Sequence, residues 1–114
     1  MSGGLDAGST LFGTEVRTEV LLAIRLLEET WASELARALG VRLFTVQSVL
    51  RSLEREGVIT ARTVGRTRVV SLSDRYVARE ELSALLWTLA KRADGLQRRL
   101  GQLRRRPRQT GKDL

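Results

Sequence analysis

One segment of the chain, residues 33–52 with the sequence SELARALGVRLFTVQSVLRS, places small and branched residues where two crossed helices need them. Ala36 permits the close approach of a second helix, and Gly40 supplies the positive φ that a short turn requires. Val46 and Val49 then point inward from the second helix. This spacing predicts a helix-turn-helix motif, which strongly restricts the folds open to the chain.

A further helix is predicted before the motif, over residues 15–29. Its apolar residues recur at intervals of three and four, which makes one stripe that faces a core: Val16, Val20, Ile24 and Leu27. Thr14 is its candidate N-cap. The first helix of the motif is predicted over residues 32–39, with Thr30 or Ser33 as the cap and Gly40 as the stop.

The second helix of the motif is predicted over residues 43–56, and Gly57 ends it. The residues expected to face inward are Val46, Val49, Leu50 and Leu53. The remaining side chains are candidate contacts to the major groove of DNA: Leu43, Phe44, Thr45, Gln47, Ser48 and Arg51. A Gln amide pairs with adenine and an Arg guanidinium with guanine, and each contact contributes roughly 1–3 kcal/mol of discrimination. The alternative is an ordinary solvated helix face.

Leu43 and Phe44 are large apolar residues on the predicted outer face of this helix. They could pack on thymine methyl groups, contribute to a protein-contact surface or belong to the core. For Phe44 we expect core packing.

After Gly57 the sequence favours two short strands, VITARTV and TRVVSL, joined by Gly65-Arg66. Glycine at the first central position suits a type II′ turn, so these residues predict a β-hairpin. Arg62, Arg66 and Arg68 would lie on this hairpin, or wing, and reach phosphates or the minor groove. Charged residues also protect edge strands from aggregation, which is the alternative role for these arginines.

The formal net charge of +7 is distributed unevenly. Residues 1–30 carry −3, residues 31–72 carry +4 and residues 73–114 carry +6. A polyanionic partner favours such a concentration of charge, although an arginine-rich composition also keeps a small protein soluble. Cys and His are both absent, which argues against an enzyme and a metal site, and we predict no cofactor. Neither a signal peptide nor a long apolar run is present, so we predict a cytoplasmic protein without membrane contact.

Residues 11–76 resemble a winged helix-turn-helix domain of the ArsR or MarR type. The resemblance is carried by SELARALGV, by VQSVLRSLEREGVI and by the GRTRVVSL strand. It implies a dimeric transcriptional regulator that binds an operator, with Gln47, Ser48 and Arg51 at base-contact positions and Arg66 and Arg68 in the wing. The metal-sensing members of such families use ligands that this chain lacks, so metal sensing is not expected.

The C-terminal third predicts one long helix from Ala78 to a point before Pro107. Its apolar residues alternate at spacings of four and three, as in a coiled-coil seam: Leu82, Leu86, Leu89, Ala93, Leu96, Leu100 and Leu103. Such a seam needs a partner helix, so we predict a homodimer through it. Alternatively, Leu82, Leu85, Leu86 and Leu89 pack on the winged helix while Gly95 and Gly101 weaken the remainder.

Together these patterns predict a mainly α fold with a small β-hairpin (α+β). Four segments are expected: a flexible lead-in over 1–13, the winged helix over 14–76, the dimerisation helix over 77–106 and a basic disordered tail over 107–114. Trp31 and Trp87 are expected in the core or the dimer interface. The predicted function is that of a homodimeric transcriptional regulator, most simply a repressor, which binds double-stranded DNA in a sequence-specific way. The alternatives are a protein-interaction module and a DNA-architectural protein without sequence preference.

Overall fold

The computed structural model describes residues 10–105, which form five α-helices and a three-stranded antiparallel sheet. In chain order the elements are α1 (Glu15–Leu27), β1 (Thr30–Trp31), α2 (Ala32–Leu39), α3 (Leu43–Arg55), β2 (Ile59–Val64), β3 (Thr67–Leu72), α4 (Arg79–Ala90) and α5 (Asp94–Arg105). The predicted tail over 107–114 and most of the predicted lead-in over 1–13 lie outside the described residues. Within them, the mainly helical fold with a small sheet is confirmed.

Local sequence rules account for the ends of the first two helices. The Thr14 hydroxyl accepts a hydrogen bond from the backbone N–H of Arg17 at 3.1 Å, which confirms the predicted N-cap of α1. Gly40 ends α2 with φ of 68°, and its N–H donates to the carbonyl oxygen of Ala36 at 3.0 Å. The predicted cap of α2 is wrong. Its N-cap residue is Trp31, which makes no side-chain capping bond.

The sheet contains one strand more than the predicted hairpin. Its order is β1-β3-β2, and the two-residue strand β1 pairs Thr30 with Val70. Thr30 is fully buried there and precedes the N-cap residue, and its hydroxyl donates to the Glu34 carboxylate at 2.6 Å instead of capping α2. The hairpin itself has the predicted two-residue loop between Val64 and Thr67, and Gly65 has the positive φ, 64°, that a type II′ turn requires.

The hydrophobic core is built around α1. Residues 20–24 of this helix are all buried, and they pack with buried residues from every other helix and from β2 and β3. Leu35, Val46, Leu53 and Leu86 are among the largest fully buried side chains. Across residues 10–105, no helix combines the length and the apolar character needed to cross a bilayer.

The prediction of one long C-terminal helix is wrong. Helix α4 ends at Ala90, and α5 begins at Asp94. Between them, the N–H groups of Arg92 and Ala93 donate to carbonyl oxygens three residues earlier, each at 3.0 Å. Such bonds tighten and close the last turn of a helix, and the aspartate that follows favours the start of a new one. The break allows α5 to fold back against α1 and α2.

The apolar seam predicted to hold a second copy is largely covered by the chain itself. Leu86, Ala93, Leu96 and Leu100 are buried in the core, while Leu82, Leu89 and Leu103 are partly buried against it. Four of the seven residues are therefore core residues in the structure, and the other three keep part of their surface open. A dimer interface through this stripe stays a prediction. Heptad spacing identified an apolar stripe, but the spacing does not specify whether the covering surface comes from a partner or from the same chain.

Candidate nucleic-acid interface

Helix α3 has one buried face and one exposed face. Val46, Leu50 and Leu53 are buried, and Val49 packs at the edge of the core. The exposed face carries most of the predicted contact residues, namely Leu43, Phe44, Gln47, Ser48 and Arg51, whereas Thr45 is half-buried. The structure therefore brings these side chains together on one helix and leaves them open to a partner.

Two exposed arginines extend this face beyond the predicted residues. Arg55 follows Arg51 by one helical turn, and Arg42 is the N-cap residue of α3. Neither arginine is among the predicted contact residues, although Arg55 lies on the same helical stripe as Phe44, Ser48 and Arg51. No acidic residue occurs in α3 before Glu54. The N-terminal half of the outer face is therefore basic or neutral.

Phe44 does not pack in the core, contrary to expectation. Its side chain is 70% exposed, and that of the preceding Leu43 is 44% exposed. The reason is geometric, because Val46, Leu50 and Leu53 occupy the inward face of α3 and Phe44 lies on the other side of the helix.

A polar contact between distant segments fixes the C-terminal half of α3. The Arg17 guanidinium, from the first turn of α1, donates through Nη1 to Ser52 Oγ at 3.0 Å and through Nη2 to Glu56 Oε1 at 2.8 Å. Arg17 is a positioning residue for α3 that sequence reasoning missed. Its partners are 35 and 39 residues away, so no local pattern reveals the contact.

Two of the three predicted wing arginines are paired with carboxylates of the protein. Arg62 lies 2.7 Å from Glu29, and Arg68 holds both oxygens of Glu54 at 2.9 and 2.6 Å. The hydrogen bonds from Arg68 hold the pKa of Glu54 below its usual range, and the same contact raises the pKa of Arg68. The Arg68 pair also ties β3 to α3, so it sets the position of the wing relative to the exposed helix face.

Arg66 differs from the other two wing arginines. It lies exposed in the hairpin turn, and within residues 10–105 it forms no ion pair. Its charge is therefore available to a phosphate. Arg62 lies on β2, an edge strand of the sheet, so protection of that edge remains an alternative role for it.

The two tryptophans lie under arginine side chains away from α3. The guanidinium carbon of Arg25 is 5.0 Å from the centre of the Trp87 ring, and that of Arg104 is 5.8 Å from the centre of the Trp31 ring. Trp31 is half-buried and Trp87 is exposed. Within residues 10–105, no three acidic side chains come together as a metal-binding group.

The crossed helices α2 and α3, followed by the hairpin of β2 and β3, define a winged helix. The chain is similar to the crystal structure of the oxidized form of MarR from E. coli, with a TM-score of 0.56 and 20% sequence identity. The similarity covers 94% of this chain and 72% of the MarR chain, and it confirms the predicted fold. No family model and no curated protein matches the sequence.

Proposed function

We propose that this chain is a sequence-specific regulator of transcription that binds double-stranded DNA as a homodimer. The observation that carries the proposal is the outer face of α3, which presents Gln47, Ser48 and Arg51 without an acidic neighbour before Glu54. In a helix-turn-helix this helix enters the major groove. Gln47 and Arg51 have the donors and acceptors for adenine and guanine edges.

The wing supplies contacts that position the protein. Arg66 binds a phosphate or enters the minor groove, and Arg62 and Arg68 contribute less because Glu29 and Glu54 already compensate their charges. Two copies related by a twofold axis would place two α3 helices in successive major grooves, about 34 Å apart. Occupation of a promoter would then block transcription sterically, which is a repressor's action.

Four of the seven residues of the C-terminal stripe are buried within the chain, which leaves Leu82, Leu89 and Leu103 partly open to a second copy. Apolar side chains that the fold leaves exposed away from α3 would add to this surface, and they include Leu11, Leu85 and Trp87. Sedimentation equilibrium of the full chain, alone and with DNA, measures the number of copies. A single copy on a bound operator would contradict the homodimer.

The first experiment is selection of bound fragments from the sheared genomic DNA of the source organism at physiological salt, followed by sequencing. An enriched motif with twofold symmetry supports the proposal. Binding without enrichment indicates an architectural protein, which would show a steep salt dependence without sequence preference. Failure to recover DNA would favour a protein-interaction module, for which the exposed Leu43 and Phe44 would be the natural contact.

Two variants distinguish recognition of bases by α3 from phosphate contacts made by the wing. Arg51→Ala should relax base preference at one position, at a loss of roughly 1–3 kcal/mol of discrimination. Arg66→Ala should weaken binding to all duplexes alike and flatten the dependence of log K on log salt by about one unit. Equal losses on operator and random duplex for Arg51→Ala would remove Arg51 from the reading residues.

A further inference from the structure

The start of α3 exposes two large apolar side chains in a small protein. Leu43 and Phe44 are the first and second residues of the helix, and the Phe44 ring is 70% exposed. Among the described residues of α3, they are the exposed large hydrophobic side chains. Single exposed apolar side chains are common on protein surfaces, whereas an adjacent pair of large ones is typical of a contact surface.

The surroundings of this pair indicate the chemistry of its partner. Arg42 precedes the pair, Gln47 and Ser48 follow it by one turn, and the first turn of α3 contains no acidic residue. The N-terminus of a helix also carries a partial positive charge. A partner that fits this surface therefore presents an apolar group to Leu43 and Phe44 and carries negative charge beside that group.

The major groove of DNA has this combination. Phosphates border the groove, and the apolar group that its standard base edges present is the C5-methyl of thymine. In a helix-turn-helix, the N-terminal residues of the second helix contact base edges, and Phe44 occupies that part of α3.

We propose that Phe44, supported by Leu43, reads thymine by packing on its C5-methyl group. The inference rests on the proposed function. It assigns a base contact to Phe44 and Leu43, in addition to the contacts proposed for Gln47 and Arg51. The operator is then expected to contain a thymine next to the base pairs read by Gln47 and Arg51. Recognition at this position depends on a methyl group and not on a hydrogen bond.

Uracil provides the test, because it has the hydrogen-bonding edge of thymine without the methyl group. Each thymine of the duplex recovered by genomic selection is replaced singly by deoxyuridine, and affinity is measured by fluorescence anisotropy. For the unchanged protein, one position per half-site should lose about fourfold in affinity, the ratio expected for one buried methyl group. In Phe44→Ala, replacement at that same position should change affinity less than about 1.5-fold, because the contact to the methyl is already gone.

Phe44→Ala should fold normally, since the side chain it removes is mostly exposed. Val77→Ala is the matched control, because Val77 is a 95% exposed apolar residue in the segment between β3 and α4. This variant should bind like the unchanged protein and keep the full loss on deoxyuridine.

The outcomes separate this inference from the proposed function. Thymine reading is overturned if binding is sequence-specific but no deoxyuridine replacement weakens the complex. It is also overturned if the replacement weakens the complexes of the unchanged protein and of Phe44→Ala equally. Either result leaves the proposed regulator function standing. If Phe44→Ala binds the operator as tightly as the unchanged protein, the exposed pair serves another partner and the inference is wrong. If no fragment is enriched in the selection, both the proposed function and this inference fail.

Discussion

Replacing Glu54 with Gln tests whether the fold withholds the charge of Arg68 from DNA. The guanidinium of Arg68 bonds both carboxylate oxygens of Glu54 at 2.9 and 2.6 Å, so the two charges compensate each other within the protein. Gln keeps the size of the side chain and removes its charge. The Arg68 guanidinium should then become available to a phosphate.

The expected magnitude follows from counterion release. One additional phosphate contact makes the dependence of log K on log salt steeper by about 0.9, which corresponds to an extra loss of about 3.5-fold between 50 and 200 mM salt. The stability cost should stay within about 1 kcal/mol, because the side chains of Arg68 and Glu54 are 60% and 27% exposed. Since the contact lowers the pKa of Glu54 from 4.5, its stabilisation is present above that pH and is lost as the pH falls through the lowered value.

Fluorescence anisotropy on a random duplex, titrated with salt, measures the effect. Glu80→Gln is the control for net charge, because Glu80 is exposed and within residues 10–105 forms no ion pair. The double variant Glu54→Gln/Arg68→Gln should return the slope to that of the unchanged protein. Equal slopes for Glu54→Gln and Glu80→Gln would refute the argument that Glu54 holds Arg68 back.

Three further predictions concern the frame that carries α3. Arg104→Ala should destabilise the fold by about 2–3 kcal/mol in urea unfolding, because it leaves the 4% exposed carboxylate of Glu34 without its cation, whereas Arg99→Ala should cost less than about 1 kcal/mol. Gly40→Ala should cost about 1 kcal/mol from its φ of 68° alone, since an added Cβ meets no atom within 4 Å; a larger loss would point to an unseen clash. Burial raises the pKa of Glu19 above 4.5 despite the opposing Arg99, so the native state binds this proton more tightly than the unfolded state does. The contribution of Glu19 to stability should grow as the pH falls towards 4.5, and Glu19→Gln should show a weaker rise over the same range.

Much of the winged helix could be predicted because its determinants are local. The predicted bounds of α2, residues 32–39, agree with the structure, since Gly40 has to end that helix. The outward position of Gln47 and Arg51 followed from helical periodicity once the inward residues were known. The strand β1 was missed because two residues carry no periodic signal, and its pairing with Val70 is a long-range contact.

The C-terminal third shows where sequence patterns stop being informative. The alternation of apolar residues correctly marked one stripe from Leu82 to Leu103, but the surface that covers it depends on the break between Ala90 and Asp94. At this break, two backbone N–H groups bond to carbonyl oxygens three residues earlier. The segment contains Ala, Lys and Arg, which favour helix, so its composition does not predict the break. The choice between a partner and the same chain is made by tertiary packing, which heptad spacing does not encode.

Helix α5 is part of the frame that orients the exposed face of α3. Arg104 bonds both oxygens of Glu34 at 2.6 and 2.8 Å, and the Thr30 hydroxyl donates to the same carboxylate at 2.6 Å. Arg104 also donates to the backbone carbonyl of Glu29 at 2.9 Å, while the carboxylate of Glu29 pairs with Arg62 in the wing. A continuous set of polar contacts thus joins the C-terminal helix to the short strand before α2 and to the wing. Because the same segment leads directly into the helix-turn-helix, displacement of α5 would alter the support of the surface proposed to bind DNA.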